Sequence, residues 1–211
     1  MAPDHYFTAQ PSGEFVATPL TVTLAGRVVE LQTAGGVFSP GGLDVGTQVL
    51  LNNVPPPPPG GNLLDLGCGW GPIALTLALE SPHATIWAVD VNERALELTR
   101  RNAAMLGLEN VRTALPDEVP DDVRFMTIWS NPPIRVGKNE LHVMLDAWLP
   151  RLREAADAWL VVSRNLGSDS LQRWMESHFS GVLSVSRGAT HKGFRVLRVR
   201  NRSGITLHTR G

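Results

Sequence analysis

From Asn62 onward, short apolar runs of strand length alternate with segments whose apolar residues recur every three or four positions. A period near two marks a strand and one near 3.6 marks a helix, so the chain resolves into alternating elements. Strands are expected at 63–67, 84–89, 110–114 and 124–130, with helices at 72–80 and 93–106. Leu141, Met144, Leu145, Trp148, Leu149 and Leu152 continue at helical spacing and predict one helix. A strand over Ala158–Val162, a helix over Leu171–Phe179, and strands over Val182–Val185 and Phe194–Val199 complete the series. Such alternation predicts an α/β fold, a mostly parallel sheet with helices on both faces. Trp148, Trp159 and Trp174 fall inside the pattern and are expected in the core.

The first 54 residues do not share this alternation and read as an N-terminal extension. Leu20–Leu24 and Arg27–Leu31 look like two short strands around a hairpin turn at Ala25-Gly26. The stretch from Gly35 to Gly42 is a loop, and Asp44 is placed to cap a helix running through Asn52. Pro55–Pro59 must end that helix, because proline lacks an amide donor and holds the backbone extended. The expected organisation is therefore an extension over 1–54, a stiff polyproline linker over 55–61, and a main domain over 62–211.

With 211 residues, 43% of them apolar, the chain can bury one substantial core. No apolar run approaches the roughly 20 residues needed to cross a bilayer, and Met1–Gln10 lacks the basic start and apolar middle of a secretory signal. The expectation is a cytoplasmic protein without membrane contact. Cys68, the sole cysteine, rules out an internal disulfide, argues against a cysteine-based metal site, and reads as a small filler. The six histidines show no ligand spacing, so neither metal nor nucleophilic triad is expected.

The net charge of −1 conceals an asymmetry. Residues 1–180 carry 12 Lys/Arg against 20 Asp/Glu, whereas residues 181–211 carry seven basic residues and no acid. Two readings stand for this block, which includes Arg187, Lys192, Arg195, Arg198, Arg200 and Arg202: a contact for a polyanion, or a charged edge strand.

Chemistry concentrates at two strand ends. In an open parallel sheet, ligands lie beyond the carboxyl ends of the strands, here at the loop Gly67-Cys68-Gly69-Trp70-Gly71. Glycines let the backbone turn sharply and lie against a ligand, with free amides at the start of the next helix. A dinucleotide loop uses G-x-G-x-x-G to seat a pyrophosphate, but here the spacing is G-x-G-x-G with Asp65 just ahead of it. A carboxylate there suits a cationic ligand. Asp90 ends the second strand, where an acid accepts hydrogen bonds from ribose hydroxyls. A cation near Asp65 and a ribose at Asp90 together describe S-adenosylmethionine, and at these residues the chain resembles the class I methyltransferases. Asp117, after the third strand, is either an acceptor for the adenine amino group or a solvated loop acid.

Asn131-Pro132-Pro133-Ile134 follows the fourth strand and emerges on the same rim. Methyl transfer from a sulfonium is an in-line displacement, so alignment is the enzyme's main contribution. An exocyclic amine on a base is a poor nucleophile because its lone pair is delocalised into the ring. The Asn131 side-chain oxygen and the Pro132 carbonyl can each accept one N–H and turn the lone pair toward the donor. The two prolines keep that carbonyl rigid.

The tetrapeptide resembles the N-P-P-aromatic motif of amino-directed methyltransferases, with Ile134 in the aromatic place. The Asn131–Lys138 run is similar to that of the small-domain ribosomal RNA guanine N2 methyltransferases. So are His5-Tyr6-Phe7, Gly36-Val37-Phe38-Ser39, Asp44-Val45-Gly46-Thr47 and Lys192-Gly193-Phe194. The resemblance implies a seven-stranded Rossmann-like sheet, S-adenosylmethionine as donor, and a guanine amino group of 16S ribosomal RNA as acceptor. It implies catalytic roles for Asn131, Pro132, Pro133 and Ile134, and cofactor contacts by Asp65, Gly67, Gly69, Gly71, Asp90, Asp117, Phe38 and Thr47. Isoleucine cannot stack on a base as an aromatic ring does, which makes Phe38, Trp70 and Trp129 the candidates for that contact. The implied partner is ribosomal RNA or the small ribosomal subunit rather than DNA, and the oligomeric state stays open. Two other readings remain: the same donor with a protein glutamine or a small molecule as acceptor, or a noncatalytic module that binds the cofactor.

Overall fold

The computed structural model describes residues 15–133 and 137–202, the side chain of Leu166 apart. His5-Tyr6-Phe7, Ile134-Arg135-Val136 and Arg210 lie outside the described residues.

Strands β1 (Ala17–Leu24) and β2 (Arg27–Ala34) pair antiparallel. Ala25 and Gly26 both take positive φ, the geometry that matches a two-residue turn to the twist of its strands. Helix α1 (Val45–Asn53) begins at Asp44, whose carboxylate accepts the Thr47 amide at 3.2 Å, the expected cap. The chain then runs through β3 (Gly60–Leu66), α2 (Pro72–Glu80), β4 (His83–Val89), α3 (Glu93–Met105), β5 (Val111–Ala114) and β6 (Phe125–Ser130). It ends with α4 (Lys138–Trp148), β7 (Leu152–Ser163), α5 (Ser168–His178), β8 (Leu183–His191) and β9 (Phe194–Asn201). No helix among the described residues is long and apolar enough to cross a membrane.

The seven-stranded sheet has the order β5-β4-β3-β6-β7-β9-β8, parallel except at β9. Strand order reverses between β3 and β6, which is where a doubly wound sheet opens a crevice. Alternation sorts the side chains of β3: Leu64 and Leu66 pack with Leu141 and Leu145 of α4 and Leu171 and Met175 of α5. Leu63 points the other way, to Val49 and Leu50 of α1 and Ala74 and Leu77 of α2. A third cluster seats the hairpin, with Leu24 and Leu31 against Trp70, Leu75 and Leu98. Asn102 of α3 locks it there: its Oδ1 accepts the Gln32 amide at 2.8 Å, and its Nδ2 donates to the carbonyls of Gln32 and Trp70, both at 2.9 Å.

Several boundaries differ from expectation. The helix predicted through Leu152 stops at Trp148, because Pro150 turns the backbone into a 3-10 turn, and Leu152 opens β7. β3 starts at Gly60, so the last residues assigned to the linker are strand. β8 reaches His191 rather than Val185, since its outer half is a polar edge whose side chains face water. Trp148 is core, but Trp159 and Trp174 are only partly buried. Trp159 lies under the Arg198 guanidinium, and Trp174 stacks between His142 and His178.

Candidate active site

The loop from Gly67 to Gly71 leaves β3 at the switch point and folds back over β4. The amides of Gly67 and Cys68 both donate to the Val89 carbonyl, at 2.8 and 3.1 Å. Gly69 donates to Asp90 Oδ2 at 3.0 Å and its carbonyl accepts the Thr99 hydroxyl at 3.0 Å. All three glycines have positive φ; at Gly71, where φ is +97°, a Cβ would also stand 2.9 Å from Thr99 Oγ1. Cys68 fills the space beneath, and burial, with Asp90 and Asp65 nearby, pushes its thiol well above the usual range, so it is unreactive.

The two acids ahead of and beyond the loop do different things. Asp65 shares the α2 side of β3 with Leu63, is fully buried, and accepts the Ala74 amide at 2.9 Å. Burial pushes its carboxyl well above the usual carboxylate range despite that bond, and Oδ1 has no partner among the described residues. Asp65 holds the loop from beneath and does not line the cavity. Asp90 does line it, with Oδ2 on the Gly69 amide and Oδ1 on the Asn92 amide at 3.0 Å. Burial raises its carboxyl, the amides of Gly69, Asn92 and Val91 opposing.

Across the crevice, Asp65 pairs with Trp129, so Gly67 and Asn131 leave their strands side by side. The Ser130 hydroxyl donates to the Leu66 carbonyl at 2.6 Å and pins the two strand ends together. The Asn131 side chain is held by its nitrogen, which donates to Asp44 Oδ2 at 2.8 Å and to Thr47 Oγ1 at 3.0 Å.

Gly67, Gly69, Asp90, Asn131 and Pro133 border one cavity of about 650 Å³, counting the space at its mouth. Phe38, Leu66, Val89, Val91, Asn92, Ala95, Pro116, Met144 and Trp148 complete its walls. Thr47 borders a smaller adjoining recess with Asp44, Trp70 and Asn131. Gly71 and Pro132 border neither, Gly71 acting through the loop turn and Pro132 being buried behind Asn131. Asp117 is exposed on the 3-10 turn Pro116–Glu118, and its neighbour Pro116 takes the place at the wall. Of the aromatic candidates, Phe38 reaches the cavity and Trp70 only the recess, while Trp129 packs in the core beneath.

Sequence reasoning missed Trp148, taken as core alone, and Asn92. Asn92 carried a readable signal, an Asn directly before a helical run, and it caps α3 through the Arg94 amide at 3.0 Å while its Nδ2 holds the Gly36 carbonyl at 2.8 Å. That second bond brings the Phe38 loop over the cavity.

The family described as methyltransferase small domain matches residues 28–198. A Bacillus subtilis protein called uncharacterized protein YbxB is 32% identical over 93% of this chain and 98% of its own length. Ribosomal RNA small subunit methyltransferase C of Aeromonas hydrophila is 34% identical over 74% of this chain, but the match takes in only 46% of that protein. The chain thus spans about half the length of the curated ribosomal RNA methyltransferases it matches. Among solved structures, the T. thermophilus 16S rRNA N2 G1207 methyltransferase in complex with AdoMet and guanosine superposes with a TM-score of 0.76. That match has 21% identity and covers 88% of this chain and 51% of the other.

Proposed function

Because the chain belongs to the methyltransferase small domain family, we propose that it uses S-adenosylmethionine to methylate the exocyclic N2 amino group of a guanine in 16S ribosomal RNA. The observation that carries this reading is the Asn131 amide, fixed by its nitrogen end so that its oxygen is the end left to accept a substrate N–H beside the cavity of Asp90.

The residues present suit the cofactor. Asp90 keeps acceptor capacity for ribose hydroxyls beyond its backbone bonds, and Val89, Val91 and Pro116 offer apolar surface to an adenine. Bound there, S-adenosylmethionine supplies an electrophilic methyl group on a good leaving group. The protein's part is alignment. Asn131 Oδ1 accepts an N–H of the amine, and Pro132 and Pro133 stiffen the backbone that carries it. Phe38 and Trp148 give the cavity its aromatic surfaces.

Lys138, Arg164 and Lys192 follow β6, β7 and β8 at this rim, where a polyanionic acceptor can meet them, with Glu140 and Asp169 opening α4 and α5 between them. The C-terminal basic block contributes less than its composition suggests. Arg187 and Arg195 both bind Asp169, and Arg198 and Arg200 both bind Asp157, so these four cations are committed to ion pairs; only Arg187 stands on the edge strand β8, and the other three are on β9 inside the sheet. A ribosomal acceptor places the reaction in the cytoplasm.

The test is to incubate the protein with labelled cofactor and separate RNA, ribosomal subunit and protein fractions, then digest the RNA and identify the modified nucleoside by mass spectrometry. Label in N2-methylguanosine is expected, and label in polypeptide alone overturns the reading. In Asn131→Ala, cofactor binding persists and transfer falls about 100-fold or more, the order of a lost alignment; unchanged transfer refutes the role of Asn131.

A further inference from the structure

We infer that Asp44 is a positioning residue that dictates which end of the Asn131 amide meets the substrate, and that Thr47 holds the amide in that place. The inference rests on the methyltransferase reading for its catalytic consequence, though not for its geometry. A side-chain amide has two ends of nearly the same shape and opposite polarity, and only the oxygen can accept an N–H. Turned over, Asn131 would offer a donor to an amine that is itself a donor.

An acceptor-only partner prevents that. An Asp44 carboxylate has no proton to give, and its Oδ2 takes one Nδ2 hydrogen at 2.8 Å; Thr47 Oγ1 takes the other at 3.0 Å. Flipping the amide would set its oxygen against the Asp44 carboxylate oxygen and lose that bond, whereas the Thr47 hydroxyl can turn and donate, so the polarity is set by Asp44. The same Asp44 oxygen accepts the Thr47 amide at 3.2 Å, so the first turn of α1 and the amide of Asn131 share one anchor across 87 residues of chain. A carboxylate on the nitrogen end also draws density toward Oδ1 and strengthens it as an acceptor.

Gly46 supports this arrangement from an unexpected side. Its φ is not positive, so the turn does not demand glycine. A Cβ there would come within 2.9 Å of both Asp44 Oδ2 and Phe194 Cε1. Any side chain at position 46 displaces either the anchoring oxygen or the β9 aromatic.

The test separates orientation from folding and from cofactor contact. Asp44→Ser keeps a helix cap but is too short to reach Asn131, and Thr47→Val keeps shape but removes the acceptor. Each is expected to lower kcat, on the order of 10- to 100-fold for Asp44→Ser, with KM for RNA and the S-adenosylmethionine Kd within about twofold of the parent. Thr47→Ser, which restores the hydroxyl, recovers most of the rate lost in Thr47→Val. A readout independent of turnover is the 15N-asparagine spectrum, assigned by the peak pair missing in Asn131→Ala. The Asn131 side-chain amide protons are expected to be slow to exchange in the parent and fast in Asp44→Ser. Fast exchange in the parent, or unchanged kcat in Asp44→Ser, overturns the inference. A fall in cofactor affinity that matches the fall in rate for Thr47→Val makes Thr47 a cofactor contact instead. Because the spectrum needs no acceptor, it holds even if the acceptor proves to be something other than RNA.

Discussion

At the scale of single residues, the two aspartates flanking the glycine loop have opposite sensitivities. The raised Asp90 carboxyl protonates at a higher pH than an ordinary aspartate would, and the neutral form is the poorer acceptor for ribose hydroxyls. Cofactor affinity is therefore full above the raised value and is lost as pH falls through it. Titration calorimetry across the acid range should show this loss, and Asp90→Asn should flatten it while weakening binding about tenfold, the scale of one charge-assisted hydrogen bond. Asp65 carries a structural load. Asp65→Asn keeps an acceptor for the Ala74 amide but sets its amide nitrogen where Oδ1 has no partner, so urea melts should show a loss of about 1–3 kcal/mol. Asp65→Ala leaves that amide without a partner and should cost about 1–3 kcal/mol. Both acids stood out in the sequence by position relative to the glycines, but only the alternation of β3, seen against α2, assigns Asp65 to the helix side. The grip of Asp44 on Asn131 spans 87 residues and left no local pattern to read.

At the scale of elements, legibility followed local punctuation. Helix α2 was expected at 72–80 and is found there, because Gly71 and Pro72 mark its start unambiguously. The helix after the Asn-Pro-Pro segment overran because Leu149 and Leu152 keep the spacing that Pro150 breaks. β8 fell short because an edge strand with one wet face carries no continuous apolar signal. The docking of the hairpin was not legible either, since the buried amide that locks it stands 70 residues away in the chain. Asn102→Ala leaves two carbonyls and an amide unsatisfied and should destabilise the protein by about 2–4 kcal/mol. Hydrogen exchange should then accelerate first in β1 and β2 and leave β3 and β6 protected.

At the scale of the whole molecule, the cations that follow β7 and β8 at the rim are placed to meet an RNA acceptor, and their contribution is measurable. Arg164→Ala and Lys192→Ala should each raise KM for RNA severalfold and reduce the salt slope by about one, with cofactor Kd unchanged. Arg198→Ala should do neither, because its guanidinium is already committed to Asp157. Equal effects from all three would return the whole C-terminal block to the RNA interface.

The Phe38 loop precedes every strand of the main sheet, yet the Asn92 amide that holds its base and the Asn131 amide beside it arrive 56 and 87 residues downstream of their partners. During synthesis, then, the early segment waits: until β6 has left the ribosome, half of the crevice has no opposite wall. A nascent chain of this protein should gain its affinity for small molecules late and abruptly, not in proportion to its length.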